Sequence, residues 1–386
     1  MQGGTIRYNP RMQVAIVHDY LNQYGGAERV LEALHELFPD APVYTSLYDP
    51  EAMPDHFRTW QIRTSWMQHL PAWRRLFREY FLFYPSAFEA FDLREFDLVL
   101  SSSSAFAKGV IPAPNAVHIC YCHTPMRFAW RTNAYVERER IVWPLRPLLA
   151  LLLPHLRNWD ITSTPRVDHF VANSRAVGER IKQIYNRSAT IIPPPVDLPP
   201  YHETPAGDYY LTGGRLVPYK RIDLVIRACN ELHRPLKIFG GGRDRAELEA
   251  IAGPTIEFLG HVDENERRAL FDGCRAFVFP GEEDFGITPL EAMAAGRPVI
   301  AYAAGGALDT VVEGKTGHFF HQQTVEALCE AMLASEQVCY QAQAIRRHAE
   351  GFGRDIFLQR MRETIDEWTS APIPLHSKRT GVLSRS

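Results

Sequence analysis

The chain is built from short β-branched or aromatic runs separated by helix-length segments, a rhythm interrupted once by proline. Val14–Val17, Val43–Thr45, Asp97–Leu100, Val117–Tyr121, His169–Ala172 and Thr190–Ile192 read as strands. Between the first two, Ala27–Leu37 has helical periodicity, with Val30, Leu31, Leu34, Leu37 and Phe38 on one side. Strands that alternate with helices pair in parallel, because parallel neighbours need a long crossover and the crossing helices cover the sheet. Pro193-Pro194-Pro195 and Pro199-Pro200 then stiffen the backbone as a linker. A second series starts near Tyr209, Leu236, Ile256, Ala276, Val299 and His318. The expected architecture is therefore α/β, with two Rossmann-like domains facing a central cleft and ligands at the carboxyl ends of the strands. Residues 1–197 and 198–352 are the expected domains. A helix over 353–369 is expected to pack back toward the N-terminal domain, and 370–386 to form a mobile tail.

At 386 residues the chain suits two cores rather than one. Its 42 basic and 45 acidic residues, net −3, exclude a generally basic nucleic-acid binder. The opening MQGGTIRYNPRMQVAIV lacks the pattern of a secretory leader, and the apolar stretch around Leu145–Leu153 is broken by Arg146 and Pro147. Six scattered cysteines complete no zinc pattern and read as reduced thiols, so a cytoplasmic location is expected.

Three strand-to-helix turns carry chemistry. In Gly281–Gly296, GEEDFGITPLEAMAAG, Gly286 permits close backbone approach and Pro289 suits a first helical turn. Glu283 lies in the loop and Glu291 in the helix, which suits hydroxyl-rich ligands; either alone reads more readily as a solvated surface acid. In Gly213–Arg221, Arg215 and Lys220 leave a strand end, where two cations can clamp a diphosphate or simply remain solvated. Gly240-Gly241-Gly242 follows a third strand. It fails the G-x-G-x-x-G spacing at Arg245, which disfavours a dinucleotide cofactor. In the first half, Gly25-Gly26 opens a helix and His123 stands just past a strand.

GGAERV, CHTP, GGRLVPYKRID, the pair Glu283 and Glu291, and AAGGALDTVVEGKTG occur in the order found in glycosyltransferase family 4. Over about residues 12–369 the chain resembles a retaining GT-B transferase, especially bacterial mannosyltransferase-like members of polysaccharide and O-antigen pathways. The resemblance implies that Gly25 and Gly26 approach the donor phosphate and acceptor, and that His123 contacts the transferred sugar. It implies that Arg215 and Lys220 stabilise the diphosphate without a metal, so no cofactor is expected. Glu283 would hold sugar hydroxyls and Glu291 the ribose. Phe285, Gly286 and Ile287 would offer backbone amides, while Gly240, Gly241, His261 and Val262 would line the base pocket. The implied reaction moves a hexose, by preference mannose from GDP-mannose, to a glycan or polyprenyl-linked acceptor with retention. The alternatives are a UDP-hexose donor, or an epimerase or hydrolase on the same fold.

Between Arg58 and Arg78 five arginines interleave with Trp60, Trp66, Trp73 and Phe77, with no acid. Leu70, Trp73, Phe77 and Tyr80–Phe81 can share a helix face, so residues 58–81 are expected either to meet an anionic membrane surface or to cover a core. The first reading would place the enzyme peripherally on the inner face of the cell membrane.

Overall fold

Parallel pairing governs both halves of the chain. The computed structural model describes residues 12–130 and 146–370. The chain divides into a first unit of residues 1–173, 177–194 and 357–386, and a second of 174–176 and 195–356. In the first, β1 (Val14–His18), β2 (Val43–Thr45), β3 (Ile62–Thr64), β4 (Leu98–Ser103), β5 (Val117–Cys122), β6 (His169–Ala172) and β7 (Ala189–Ile191) form one sheet. Its order is β3-β2-β1-β4-β5-β6-β7, with every neighbour parallel. Val14 and Ile16 join one core cluster with Val30, Leu31 and Leu34 of α1 (Gly26–Leu37), whereas Ala15 and Val17 join another with Phe88 and Phe106. Burial on both faces explains why β1 is continuously apolar rather than alternating. Phe357, Met361 and Ile365, from the helix Arg354–Ser370, lie buried in the first of these clusters.

The second unit holds β8 (Tyr210–Gly213), β9 (Leu236–Phe239), β10 (Ile256–Gly260), β11 (Ala276–Phe279), β12 (Val299–Tyr302) and β13 (Gly317–Phe320). They pair in the order β10-β9-β8-β11-β12-β13, again all parallel. In each sheet the chain winds outward one way from its first strand and then returns to wind the other way. Diverging connections leave a crevice at the carboxyl ends of the two middle strands. Those strands are β1 and β4 in one sheet, β8 and β11 in the other.

The first crevice is closed by a single buried carboxylate. Asp19, immediately after β1, accepts the backbone N–H groups of Ser104, Ala105, Phe106 and Ala107 at 2.5, 3.0, 2.8 and 2.7 Å. It is only 3% exposed. Four donors on one carboxylate offset its desolvation, and they satisfy amides that no strand partner could reach. Just beyond, buried Lys108 places its ammonium 3.0 Å from an Asp160 carboxylate oxygen in the helix α2 (Arg146–Ser163). The ammonium also donates to the Asp160 carbonyl at 2.6 Å and to Ser163 Oγ at 2.9 Å. Asp160 further accepts Trp130 Nε1–H at 2.6 Å and the Tyr185 hydroxyl at 3.0 Å. Such complete pairing is the condition under which a buried ion pair is tolerated.

The structure corrects the reading of residues 58–81. No continuous helix runs there: a 3-10 turn at Asp55–Thr59 leads into β3, then a turn at Trp66–His69 and one helical turn at Trp73–Leu76. Pro71 and Ala72, at φ +48°, break the pattern that the apolar spacing imitates. Trp73 is buried, Leu70, Phe77, Tyr80 and Phe81 pack on the second core cluster, and Trp60 stacks on His35 at 4.0 Å. Arg74 is spent on Asp49 at 2.8 and 3.2 Å, and Arg63 on the Tyr44 hydroxyl at 2.6 Å. Core covering accounts for most of this segment. The expected mobile tail falls, apart from Ser370, outside the described residues. Among the described residues no helix is long and apolar enough to cross a membrane.

Replacing Asp19 with Ala orphans four amides, each worth about 1–3 kcal/mol when buried and unpaired. Amide hydrogen exchange in Ser104–Ala107 should accelerate by ~100-fold or more in Asp19→Ala. A change below about threefold would show that the carboxylate does not hold this loop.

Candidate active site

β8 and β11 are neighbours, and the loops leaving them converge. Gly214 turns the chain at φ +110° after β8, and the 3-10 turn Pro218–Lys220 brings Lys220 back toward it. Lys220 donates through Nζ to Oε1 of Glu283 in a tight ion pair. The two side chains are 12% and 21% exposed, and the ammonium sits 5.8 Å from the centre of the Phe279 ring. An ammonium has three donors, so one spent on Glu283 leaves capacity for an anionic ligand. Arg215, the other expected cation, is exposed and donates to the Tyr219 hydroxyl at 3.4 Å.

Three glycines that sequence reasoning did not single out hold the Glu283 loop. A Cβ at Gly281 would lie 2.8 Å from the Tyr219 carbonyl oxygen and 3.0 Å from Lys220 Cα. On the other side Gly306 donates its N–H to the Glu283 carbonyl at 2.9 Å, and a Cβ there would run into the Phe285 backbone. A Cβ at Gly305 would strike the Glu283 carbonyl itself. The signal was present in the Gly-Gly of AAGGALDT, whose place against this loop the spacing does not reveal.

Phe285 is buried, and Gly286 at φ +84° caps α3 (Ile287–Ala294), in which Ile287 is the first residue. A Cβ at Gly286 would come within 2.8 Å of the Phe279 ring, so the backbone lies flat on that ring. Glu291 lies in α3 and faces Arg267 at 3.3 Å. Arg267 belongs to the helix Glu264–Gly273, which starts with a capping box. In that box Asp263 accepts the Glu266 N–H at 2.8 Å, and Glu266 accepts the Asp263 N–H at 2.9 Å. Gly240, at φ +99°, donates its N–H to the Gly260 carbonyl at 2.6 Å, and a Cβ on it would collide with the Gly214 carbonyl. A Cβ on Gly241 would lie 2.9 Å from Nε2 of exposed His261, and Val262 packs partly against the core. Gly214, Gly240, Gly241 and His261 thus form one wall, beside the paired Lys220 and Glu283.

Gly25, Gly26 and His123 belong to the first unit. Gly25 is the extended N-cap residue of α1 and Gly26 its first residue. His123 follows β5, donating its N–H to the Ser103 carbonyl at 2.9 Å and accepting Asn173 Nδ2–H on its own carbonyl at 3.0 Å. Its Nε2 lies 2.8 Å from Ser102 Oγ, which lies 3.1 Å from Nδ1 of His18. The Nε2 of His18 is 3.5 Å from Oε1 of buried Glu28. Burial pushes the neighbouring Cys122 thiol well above its usual range, which leaves it protonated and without nucleophilic character. Among the described residues no group of three or more His, Cys, Asp or Glu side chains is placed to hold a metal ion.

Residues 24–199 match Glycosyltransferase Family 4, and residues 203–338 match Glycosyl transferases group 1. Both halves of the chain thus match glycosyltransferase models, each over less than half of its length. The chain is 28% identical over 234 residues to D-rhamnosyltransferase WbpZ of Pseudomonas aeruginosa, covering 58% of this chain and 61% of that protein. It is 41% identical over 107 residues to a GDP-mannose-dependent alpha-mannosyltransferase of Mycolicibacterium smegmatis, covering 27% of this chain and 28% of that one. These matches take in less than two thirds of each relative's length. Among solved structures, HepE of Anabaena in complex with UDP superimposes with TM-score 0.68 at 16% identity, over 92% of this chain and 100% of that one. The two parallel sheets thus have the GT-B fold, and the epimerase or hydrolase reading is not favoured.

Gly240→Ala forces a left-handed φ on a Cβ and drives it into the Gly214 carbonyl. A loss of about 2 kcal/mol is expected, read as a fall of several degrees in melting temperature. An unshifted midpoint would mean that the two loops are free to part.

Proposed function

We propose that this transferase moves a hexose, by preference mannose from GDP-mannose, to a glycan or polyprenyl-linked acceptor with retention of anomeric configuration. The observation that carries the reading is the Lys220–Glu283 pair at the crevice of the second sheet. One charge suits a diphosphate and its partner suits sugar hydroxyls, and both stand beside glycine walls that admit a ligand to the backbone. The preference for GDP-mannose is supported by the mycobacterial relative named for that donor.

In the reaction the anomeric C–O bond to the diphosphate breaks, and a new bond forms from the same carbon to an acceptor oxygen. The acceptor proton passes to the departing phosphate, and the bonding electron pair leaves with that phosphate. Lys220, joined by Arg215, offsets the negative charge growing on the leaving group, so no metal is called on for that role. Glu283 orients the sugar, and Glu291, once shared between Arg267 and ribose hydroxyls, holds the nucleoside. Phe285, Gly286 and Ile287 offer amides to phosphate and sugar, and Gly240, Gly241, His261 and Val262 line the base. Gly25, Gly26 and His123 act from the first unit, His123 on the transferred sugar. A UDP-hexose is the second reading, favoured by the UDP bound to HepE. Trp66, Leu76, Leu82 and Phe83 remain exposed within or beside residues 58–81, and they are what a peripheral membrane contact would use.

A thermal-shift panel of GDP, UDP, ADP and their sugars, with EDTA present, separates the donors, because a ligand that binds only the native state raises its melting temperature. Selective stabilisation by GDP and GDP-mannose is expected; a UDP-selective shift replaces mannose, and no shift removes the nucleotide site. Glu283→Ala should lower turnover by ~100-fold or more with the fold intact. Lys220→Ala should weaken nucleoside diphosphate binding by ~10-fold or more, the loss of one charge-assisted hydrogen bond. Near-normal values for these two variants would remove both residues from the site.

A further inference from the structure

At the amino ends of the second sheet, away from its crevice, a cavity of about 300 Å³ opens between β8, β11 and the turn into β12. Tyr210 is the first residue of β8, Arg275 and Ala276 stand at the start of β11, and Arg297 and Pro298 lead into β12. Ser335 and Glu336, at the end of the helix Val325–Glu336, line it too, as does Tyr340 just beyond. Lys220 and Glu283 follow the carboxyl ends of β8 and β11, so the four-residue strands, ~13 Å of chain, lie between the two places. The volume falls at the lower end of the range for small-ligand sites.

Arg297 is placed there by the end of α3, which closes in a Schellman motif. Gly296, at φ +73°, donates its N–H to the Met293 carbonyl at 2.9 Å, and Arg297 donates its own to Ala292 at 3.0 Å. The Arg297 side chain is then buried, at 5% exposure. Its Nη2 donates to the Thr204 carbonyl at 2.6 Å and to the Asp272 carbonyl. Its Nε is buried with no hydrogen-bond partner among the described residues, and no carboxylate among them pairs with it; that of Asp272 faces Arg268 at 3.8 Å. A guanidinium cannot shed its proton, so burying one without a counter-charge is costly. Glu336 does not supply that charge. Its carboxylate accepts Arg234 at 2.9 and 2.8 Å and the Tyr210 hydroxyl at 2.8 Å, and Arg275 lies 3.7 Å away. With Glu336 answered by Arg234, Arg275 and Arg297 leave the lining cationic.

We propose that this cavity is an anion site apart from the crevice, taking a phosphate group, either free or as the monoester end of a small metabolite. Arg297 Nε–H and the half-exposed Arg275 guanidinium supply charge-assisted donors. Ser335 and Tyr340, whose hydroxyl oxygens lie 3.2 Å apart, can donate or accept beside them. The geometry suits a phosphate better than a carboxylate. Both two-pronged edges of a guanidinium include Nη2, and in Arg297 both Nη2 protons are spent on carbonyls. A planar carboxylate loses its matching fork there, whereas a tetrahedral oxyanion is met by single donors from several directions. The site stands whether or not the crevice takes GDP-mannose.

Titration calorimetry of the full chain at fixed ionic strength, with inorganic phosphate, glucose 6-phosphate and glucose, tests the site. Phosphate-bearing probes are expected to bind with Kd below ~1 mM, and glucose not to bind. A hexose phosphate held at least ~10-fold more tightly than inorganic phosphate assigns the cavity to a monoester, and equal affinities assign it to the free ion. Arg275→Gln leaves the Arg234–Glu336 pair in place and should weaken binding ~10-fold, the loss of one charge-assisted contact. Arg297→Gln should weaken it at least as much; where loss of its two carbonyl contacts lowers the melting temperature, Arg275→Gln decides. Lys220→Ala, which alters the crevice, should leave the affinity within about twofold. Binding absent at about 10 mM of either phosphate, or unchanged in Arg275→Gln, or lost in Lys220→Ala, overturns the proposal.

Discussion

The four backbone amides gathered on Asp19 are the constraint around which the first unit is arranged. Where a parallel sheet reverses its winding, the chains leaving the two middle strands diverge, and their N–H groups lose the strand partners that would satisfy them. A carboxylate on one loop answers four donors on the other, so β1 and β4 end at a fixed mutual height. That height sets everything beside it. His18 and Asp19 are consecutive, so a carboxylate anchored in the β4 loop fixes the imidazole before it, and Ser102 meets that imidazole from the adjacent strand. Behind the loop, the Lys108–Asp160 pair ties the same backbone to α2 with every polar atom of the pair engaged.

The second unit meets the same topological problem without a carboxylate. Its loops approach one another by having no side chains: Gly214 lies under Gly240, Gly281 under Tyr219 and Lys220, and Gly305-Gly306 under Glu283 and Phe285. Backbone packed on backbone leaves carbonyl and amide edges at the surface of the crevice, and it lets Lys220 and Glu283 meet across it. The first crevice is thus held together by a buried carboxylate, and the second by backbone packed on backbone. The division follows from which residue types each loop carries.

Much of this was legible from local sequence. Parallel strands buried on both faces appear as uninterrupted apolar runs, and the starts near Leu236, Ile256, Ala276 and Val299 coincide with the strands observed. The Gly-rich turns and the Glu283 loop stood out because tight turns demand particular residues within a few positions. Asp19, His18 and Ser102 did not, since their meaning depends on partners more than eighty positions away. Glu28 stands within GGAERV, and nothing in that motif shows that His18 is its neighbour. The three-residue strand β3 was missed, because Arg and Trp at near-helical spacing masked an edge strand; Pro71 was the local signal against a continuous helix. Neighbouring Glu283 and Lys220 were each assigned a ligand, but their contact with one another spans sixty-three positions and left no trace in the pattern.

The helix Arg354–Ser370 contributes Phe357, Met361 and Ile365 to the hydrophobic core formed by β1, β4 and α1. A ribosome delivers those three side chains only after it has made the entire second unit, residues 195–356. The unit begun first is therefore the one finished last, and the second unit, whose sheet is contiguous in sequence, has all its strands available while the first still lacks part of its interior. Until residue 365 emerges, an apolar surface beside α1 stays uncovered, which makes this the period when a nascent chain of this kind most needs protection from aggregation.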